Sequence, residues 1–165
     1  MILYVLRHAL AEDAAAGGDE ARHLTEVGRQ RTLKASAGMR ALGLKFDLIL
    51  TSPLTRAVET AEIVASVYDG LAPRVVTELA IGIAPGDAIA ALAPFGRYDS
   101  VMIVGHEPQL SALVSILLTG EPDAMHLRIR KGGCVALELP ASRIQPSAAE
   151  LLWMMTQRQL RKLRK

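Results

Sequence analysis

Histidine and arginine side chains stand beside turns at three separated points of this 165-residue sequence. Arg7 and His8 are adjacent, Arg56 follows a Ser-Pro turn, and His106 follows a glycine. Arginine donates paired hydrogen bonds to phosphate oxygens through its planar guanidinium group. A neutral histidine can attack phosphorus, and a protonated one can donate to phosphate. These residue types therefore suit phosphoryl transfer without a metal ion.

Short apolar segments precede each of these points, at residues 2–6, 47–51 and 100–104. Each segment is followed by a turn and then by a helical pattern, which is typical of parallel βαβ units. The sequence thus predicts an α/β fold with three α/β/α layers, a mostly parallel sheet and helices on both faces. Ligands of such sheets bind outside the carboxyl ends of the strands. We therefore expect the histidines and arginines to meet at the carboxyl edge of the sheet, where the parallel strands end.

The pattern predicts further elements along the chain. Ser52 and Pro53 are good capping and first-turn residues, so a helix is expected to begin there and to direct its free N–H groups at the same edge. Residues 134–139 and 150–155 are predicted strands, the second near a sheet edge, and residues 11–21 are a predicted mobile loop. The other predicted helices lie at 25–43 (with Val27, Ala35, Met39 and Leu42 near one face), from about 86, from Pro108 to Gly120, and at 156–165.

Composition indicates one domain over residues 1–165, because the chain is half hydrophobic and has no repeat. We predict a cytoplasmic location, since Cys134 is the only cysteine and no apolar run is long enough to span a membrane. The four histidines are dispersed and no metal-binding motif is present, so we expect neither metal nor cofactor.

Charge is distributed unevenly. Five of the 19 lysines and arginines lie in the last eight residues, whereas none of the 17 acids does. The rest of the chain is therefore mildly acidic, which argues against nucleic-acid binding. The basic end could contact an acidic partner, but a solvated helix with cations at its C-terminus is the favoured interpretation. The oligomeric state is not indicated.

Three motifs resemble those of the histidine phosphatase superfamily, whose fold is like that of phosphoglycerate mutase. Residues 6–9 (LRHA) resemble its RHG signature, residues 52–61 (SPLTRAVETA) its second phosphate-pocket motif, and residues 104–108 (VGHEP) its second-histidine motif. Residues 22–28 (RHLTEVG) are similar to the RPLTxxG stretch of SixA-type phosphohistidine phosphatases. The order and spacing also match along nearly the whole chain.

The resemblance implies a role for each matching residue. His8 would attack phosphorus through one ring nitrogen while a backbone carbonyl holds the other nitrogen. Arg7, Arg22 and Arg56 would neutralise the phosphoryl oxygens, and water would then hydrolyse the phosphohistidine. His106 would donate to an equatorial oxygen. The substrate implied is a phosphohistidine on a protein.

Two positions depart from the family pattern. Ala9 replaces the usual glycine, which is acceptable if its φ is negative but narrows the space beside His8. The second departure concerns the general acid. Glu78 lies near the position of the acid in other family members, but it could instead be an ordinary loop carboxylate. Arg56 could instead pair with Glu59 or Glu62 on its own helix, and Arg22 could be a surface arginine.

Other functions are compatible with the same residues. A phosphatase for small phosphate esters would need Glu78 more, because an alkoxide leaving group requires a proton. A phosphate- or phosphopeptide-binding module without turnover, and a scaffold recruited through the basic end, belong to different classes. The intact pair of His8 and His106 favours an enzyme.

Overall fold

The computed structural model describes residues 1–140 and 144–163. Its core is a six-stranded sheet in the order β3-β2-β4-β1-β5-β6. Strands β3, β2, β4 and β1 run parallel, whereas β5 is antiparallel to both of its neighbours. The strands are β1 (Ile2–Arg7), β2 (Leu48–Thr51), β3 (Arg74–Val75), β4 (Ser100–Gly105), β5 (Cys134–Glu138) and β6 (Glu150–Met155). All five predicted strands are confirmed, and β6 is an edge strand as predicted.

Helices cover both faces of the sheet. They are α1 (Glu26–Ala41), α2 (Thr55–Ala65), α3 (Pro85–Leu92), α4 (Gln109–Thr119) and α5 (Gln157–Lys162). Three short 3₁₀ helices (Asp19–Ala21, Thr77–Leu79 and Ala93–Arg97) complete the described elements. The predicted three-layer α/β/α architecture is confirmed. Among the described residues, the helices are too short or too polar to cross a lipid bilayer.

Alternating side chains of the central strands form two separate apolar cores. In β1, Leu3 and Val5 face one core, where α3 and α4 pack, while Tyr4 and Leu6 face the other, where α1, α2 and α5 pack. The period of two along a strand gives each central strand two buried faces. This double burial explains the continuous apolar segments that predicted parallel strands.

Several predicted helix boundaries and faces were wrong. Helix α2 begins at Thr55, not at Ser52, and its N-cap Leu54 makes no side-chain capping bond. Val27 and Leu42 of the α1 region are 48% and 41% exposed, so the buried face of that helix is narrower than predicted. Helix α5 ends at Lys162, and residues 164–165 of its predicted span lie outside the described residues.

The strand order brings the carboxyl ends of β1, β2 and β4, and the residues that follow them, together at one edge of the sheet. Strand β4 lies between β1 and β2, with Arg7 paired to Gly105 and Thr51 paired to Val104. The residues that follow the three strands therefore meet, as the sequence predicted.

Gly28 of α1 lies against the segment that follows His8. A Cβ atom at this position would collide with the Leu10 carbonyl oxygen, so the close approach of α1 to this segment requires a glycine.

Candidate active site

Two buried histidines form the centre of the edge. The imidazole rings of His8 and His106 have centroids 4.9 Å apart and are tilted by 49°. His8 follows β1, and its backbone N–H donates to the Gly105 carbonyl of β4 at 3.0 Å. His106 is the next residue after Gly105, so adjacent parallel strands fix the spacing between the two rings.

His8 is held in one orientation by its own backbone neighbour. Its Nδ1 lies 2.8 Å from the Ala9 carbonyl oxygen, which can only accept a hydrogen bond. The ring proton is therefore on Nδ1, and Nε2 carries the free lone pair. This matches the predicted backbone carbonyl on one ring nitrogen. A nucleophile needs such a fixed, unprotonated nitrogen.

Burial keeps His8 neutral. Loss of solvent lowers its pKa to about 4, and the nearby cations of Arg56, Arg7 and Lys131 act in the same direction, against the hydrogen bond to Ala9, which raises it. Burial likewise lowers the pKa of His106 to about 3, with further lowering from His8 and Arg56. Both imidazoles are thus neutral near pH 7.

Ser52, which the sequence predicted to be a helix cap, orients His106. The Ser52 hydroxyl accepts from the Leu54 N–H at 3.3 Å and lies 2.8 Å from Nε2 of His106. Because that hydroxyl has one proton to give, it can donate to Nε2 and leave the imidazole proton on Nδ1. Nδ1 is buried and has no partner among the described residues. It can therefore donate to a bound anion.

Arg7 brings a half-buried guanidinium group to the same edge. Its Nη1 donates to the Ile129 carbonyl at 3.0 Å, while its Nε is buried without a hydrogen-bond partner among the described residues. Burial lowers the pKa of Arg7, an effect opposed by Glu107. The guanidinium keeps its charge nonetheless, because arginine titrates far above neutral pH. An anion could thus bind to its free N–H groups.

Arg56 and Arg22 meet at one carboxylate. Arg56 Nη2 donates to Asp19 Oδ2 at 2.8 Å, and Arg22 Nη1 donates to Asp19 Oδ1 at 2.6 Å. Arg56 also donates to the Asp19 carbonyl, so this buried arginine pairs with Asp19 and not with Glu59 or Glu62. Hydrogen bonds from Arg22 and then Arg56 lower the pKa of Asp19. Two of the three arginines predicted to bind phosphate, Arg22 and Arg56, therefore lie together, joined by an acid that the sequence alone did not indicate.

Ala9 fits the position beside His8. Its φ is not positive, because Ser147 is the only non-glycine residue with positive φ in the part of the chain that the structure describes. Its N–H donates to Thr60 Oγ1 at 3.1 Å, and that hydroxyl donates to the Arg56 carbonyl at 2.6 Å. Thr60 thus connects the backbone after His8 to helix α2.

Glu78 lies near the edge but makes only local contacts. Its carboxylate accepts from Thr77 Oγ1 at 3.0 Å, and no hydrogen bond of the described residues joins it to His8 or His106. Its backbone is fixed instead, because Gln109 Nε2 donates to the carbonyl oxygens of Glu78 and Ile83. Asp19 is the carboxylate whose charge reaches His106. A role for Glu78 in proton transfer stays a prediction.

Glu107 links the second histidine segment to Arg7. Its Oε1 accepts from the Ile129 N–H at 2.7 Å, and the Ile129 carbonyl accepts from Arg7. Its Oε2 accepts from the N–H of Ser111 at 3.3 Å in the first turn of α4.

Within the described residues, no cluster of three or more His, Cys, Asp and Glu side chains is arranged to hold a metal ion.

Comparisons with known proteins identify the family of the chain. The sequence pattern of the histidine phosphatase superfamily (branch 1) matches residues 3–80. An uncharacterised protein of Picosynechococcus sp. (strain PCC 7002) is 36% identical over 163 residues, covering 94% of this chain and 96% of that protein. The chain belongs to the histidine phosphatase superfamily, and its class of activity is that of a phosphatase.

Solved structures extend the likeness of the fold. The protein histidine phosphatase SixA, in complex with tungstate, superimposes with a TM-score of 0.85 at 23% identity, covering 97% of this chain and 99% of that one. The alpha-ribazole phosphatase from Shigella flexneri gives a TM-score of 0.77 at 20% identity, covering 95% of this chain and 97% of that one. At such identities, the likeness concerns the fold alone.

Proposed function

We propose that the protein is a metal-independent phosphohistidine phosphatase and that His8 is its covalent nucleophile. The observation that carries the proposal is the state of His8: Nδ1 is held by the Ala9 carbonyl, Nε2 is free, and the pKa is about 4. A neutral imidazole with a fixed lone pair is ready to attack phosphorus at neutral pH. The fold likeness to SixA supports the same substrate class.

In the proposed first step, the lone pair on Nε2 of His8 forms a bond to phosphorus as the substrate P–N bond breaks. The electrons of that bond return to the substrate nitrogen. If the other ring nitrogen of the substrate carries a proton, a neutral imidazole leaves and no acid from the enzyme is required. Arg7, Arg22 and Arg56 hold the phosphoryl oxygens, and Nδ1 of His106 donates to one of them.

In the second step, water attacks phosphorus on phosphorylated His8. The P–N bond to Nε2 breaks, inorganic phosphate is released and the neutral histidine returns. The water proton leaves with the phosphate or passes to solvent. Asp19 has to yield its hydrogen bonds with Arg22 and Arg56 when a phosphoryl group binds, because the same guanidinium N–H groups serve both anions.

A small-molecule phosphatase is the second candidate. An apolar hollow of about 420 Å³ lies beside His106, and its lining includes Ile81, Ile83, Pro85 and Pro108. It could receive the non-phosphate part of an ester, and the fold is shared with an alpha-ribazole phosphatase. An ester requires protonation of its leaving oxygen, so Glu78 would be needed in this case.

Phosphate release by the wild type and by His8→Ala tests the proposal, with no metal added. A phosphohistidine peptide is compared with phosphoserine and p-nitrophenyl phosphate, and His126→Ala is the control because His126 is an exposed loop residue. We expect a preference for the phosphohistidine peptide and a loss of about 10³-fold or more only in His8→Ala. A strong preference for esters, abolished by Glu78→Gln, would favour the second candidate. Phosphate binding without turnover would favour a binding module.

We further propose a cytoplasmic location. The only cysteine, Cys134, is free and buried in the sheet, so the fold depends on no internal disulfide. A fluorescent fusion in the source cell would test the location.

A further inference from the structure

A groove of about 720 Å³ lies beside the histidine edge and is lined by cations from three separate parts of the chain. We call it the cationic groove. Its charged residues are Arg31 of α1, Arg130 and Lys131 of the loop before β5, and Arg158, Arg161 and Lys162 of α5. Its other lining residues are Thr156, Gln157 and Gln159, so no acid lines it.

The charge of the cationic groove is not balanced internally. The four ion pairs among the described residues join Arg22, His23, Arg29 and Arg56 to acids elsewhere, and none involves a groove cation. Nε of Arg161 is buried and has no hydrogen-bond partner among the described residues. Like charges that the fold gathers from distant segments repel one another, so an anion bound there would be stabilised.

The cationic groove is joined to His8 through the backbone. The Gly132 N–H lies 3.1 Å from the carbonyl oxygens of both Arg7 and His8, and the Gly133 carbonyl accepts from the Arg7 N–H at 3.0 Å. Lys131, the residue before this contact, lines the groove, and its charge reaches the imidazole of His8. A chain bound at His8 could therefore continue into the groove within a few residues.

We propose that the cationic groove binds an acidic segment of the protein substrate, next to the phosphorylated histidine in that substrate's sequence. This inference rests on the proposed function and adds a substrate feature to it. An acidic polypeptide fits better than a nucleic acid because the groove contains no aromatic side chain on which bases could stack. The side-chain amide of Gln157 can also bond to a peptide backbone, whereas the Thr156 hydroxyl is engaged as the N-cap of α5.

The test uses the full chain and two phosphohistidine peptides, one flanked by glutamates and one flanked by serines and glycines. The variant Arg130→Glu/Arg158→Glu reverses two exposed groove cations without touching buried side chains. The control, Lys45→Glu/Arg97→Glu, makes the same charge change before β2 and β4, at the opposite ends of the parallel strands. If the first variant does not fold, Arg31→Glu/Arg158→Glu replaces it.

We expect the wild type and the control to have a kcat/KM about tenfold higher for the acidic peptide at low salt, and the groove variant to lose this ratio. An equal ratio in the groove variant and the wild type would overturn the proposal. Fluorescence anisotropy with the unphosphorylated acidic peptide makes a separate test, since it needs no turnover. Binding by the wild type but not by the groove variant would support the groove even if phosphohistidine is not hydrolysed. Tighter binding of a single-stranded RNA of equal charge would overturn it.

Discussion

Asp19 Oδ2 accepts a hydrogen bond from Arg56 Nη2 at 2.8 Å, although the two residues lie 37 positions apart in the chain. The other oxygen of the same carboxylate accepts from Arg22, so one acid occupies both arginines. A carboxylate and a phosphoryl group present similar pairs of oxygens to guanidinium groups. In the proposed mechanism, Asp19 therefore competes with phosphate for this part of the site.

Replacing Asp19 with asparagine tests that competition. The variant loses the negative charge but keeps the size of the side chain, so we expect inorganic phosphate to inhibit it about fivefold more tightly than the wild type. The inhibition constant of phosphate, measured in steady-state assays, gives the answer. Asp13→Asn is the matched control, since Asp13 is an exposed acid of the same loop. Weaker inhibition of the Asp19 variant would mean that Asp19 supports the arginines instead of competing with phosphate.

The pH dependence of activity should reflect the burial of His8. Its pKa is lowered from 6.5 to about 4, so the nucleophilic neutral form persists as the pH falls and is lost only near pH 4. We expect no loss of kcat/KM as the pH falls from 6 to 5, and a decline below about pH 4.5. Initial rates corrected for spontaneous hydrolysis measure this profile. An acid limb centred near pH 6.5 would contradict the assigned state of His8.

Strand positions made much of the site predictable. His8 and His106 follow neighbouring parallel strands, and Arg56 lies in the first turn after a third, so the topology rule alone brings them together. The contact between Asp19 and Arg56 could not be predicted in this way, because it joins a short 3₁₀ helix to α2 and has no local sequence signal. Ser52 was misassigned for a related reason: its hydroxyl serves a histidine 54 residues away, although a local pattern indicated a cap.

Two apolar side chains in the α1 region are exposed although the helical period predicted that they would be buried. Val27 and Leu42 follow the helical period, but which face of a helix is covered depends on the neighbours it meets in three dimensions. In contrast, β1, β2, β4 and β5 are buried on both sides, so their apolar segments identified them without knowledge of any neighbour. The exposed two-residue strand β3 had no such signal and was not predicted. The sheet was therefore predicted more completely than the helices around it.

Ser52→Ala tests how His106 is oriented. The variant removes the hydroxyl that can donate to Nε2, so the proton of His106 is no longer confined to Nδ1. We expect kcat to fall about tenfold with a small change in KM, because the donation from His106 to a phosphoryl oxygen matters most in the transition state. Ser66→Ala, at an exposed position after α2, is the control. An unchanged kcat in Ser52→Ala would show that this hydroxyl does not orient His106 for catalysis.

Glu107→Ala tests the positioning of Arg7. Glu107 holds the Ile129 N–H, and the Ile129 carbonyl holds the Arg7 guanidinium, so the variant should leave Arg7 less well oriented. We expect the inhibition constant of phosphate to weaken about threefold to tenfold, with Glu107→Gln recovering part of the loss through its amide oxygen. Glu121→Ala, an exposed acid after α4, is the control. Equal phosphate inhibition in Glu107→Ala and the wild type would limit Glu107 to a structural role.

The covalent role of His8 is the centre of the account, and trapping the intermediate tests it most directly. The protein is mixed with a phosphohistidine peptide, quenched within milliseconds in alkali, where phosphohistidine survives, and digested for mass spectrometry. We predict one added phosphoryl group on the peptide that contains His8, absent from His8→Ala and present in His126→Ala. A phosphoryl group on another residue, or turnover by His8→Ala at the wild-type rate, would contradict the account.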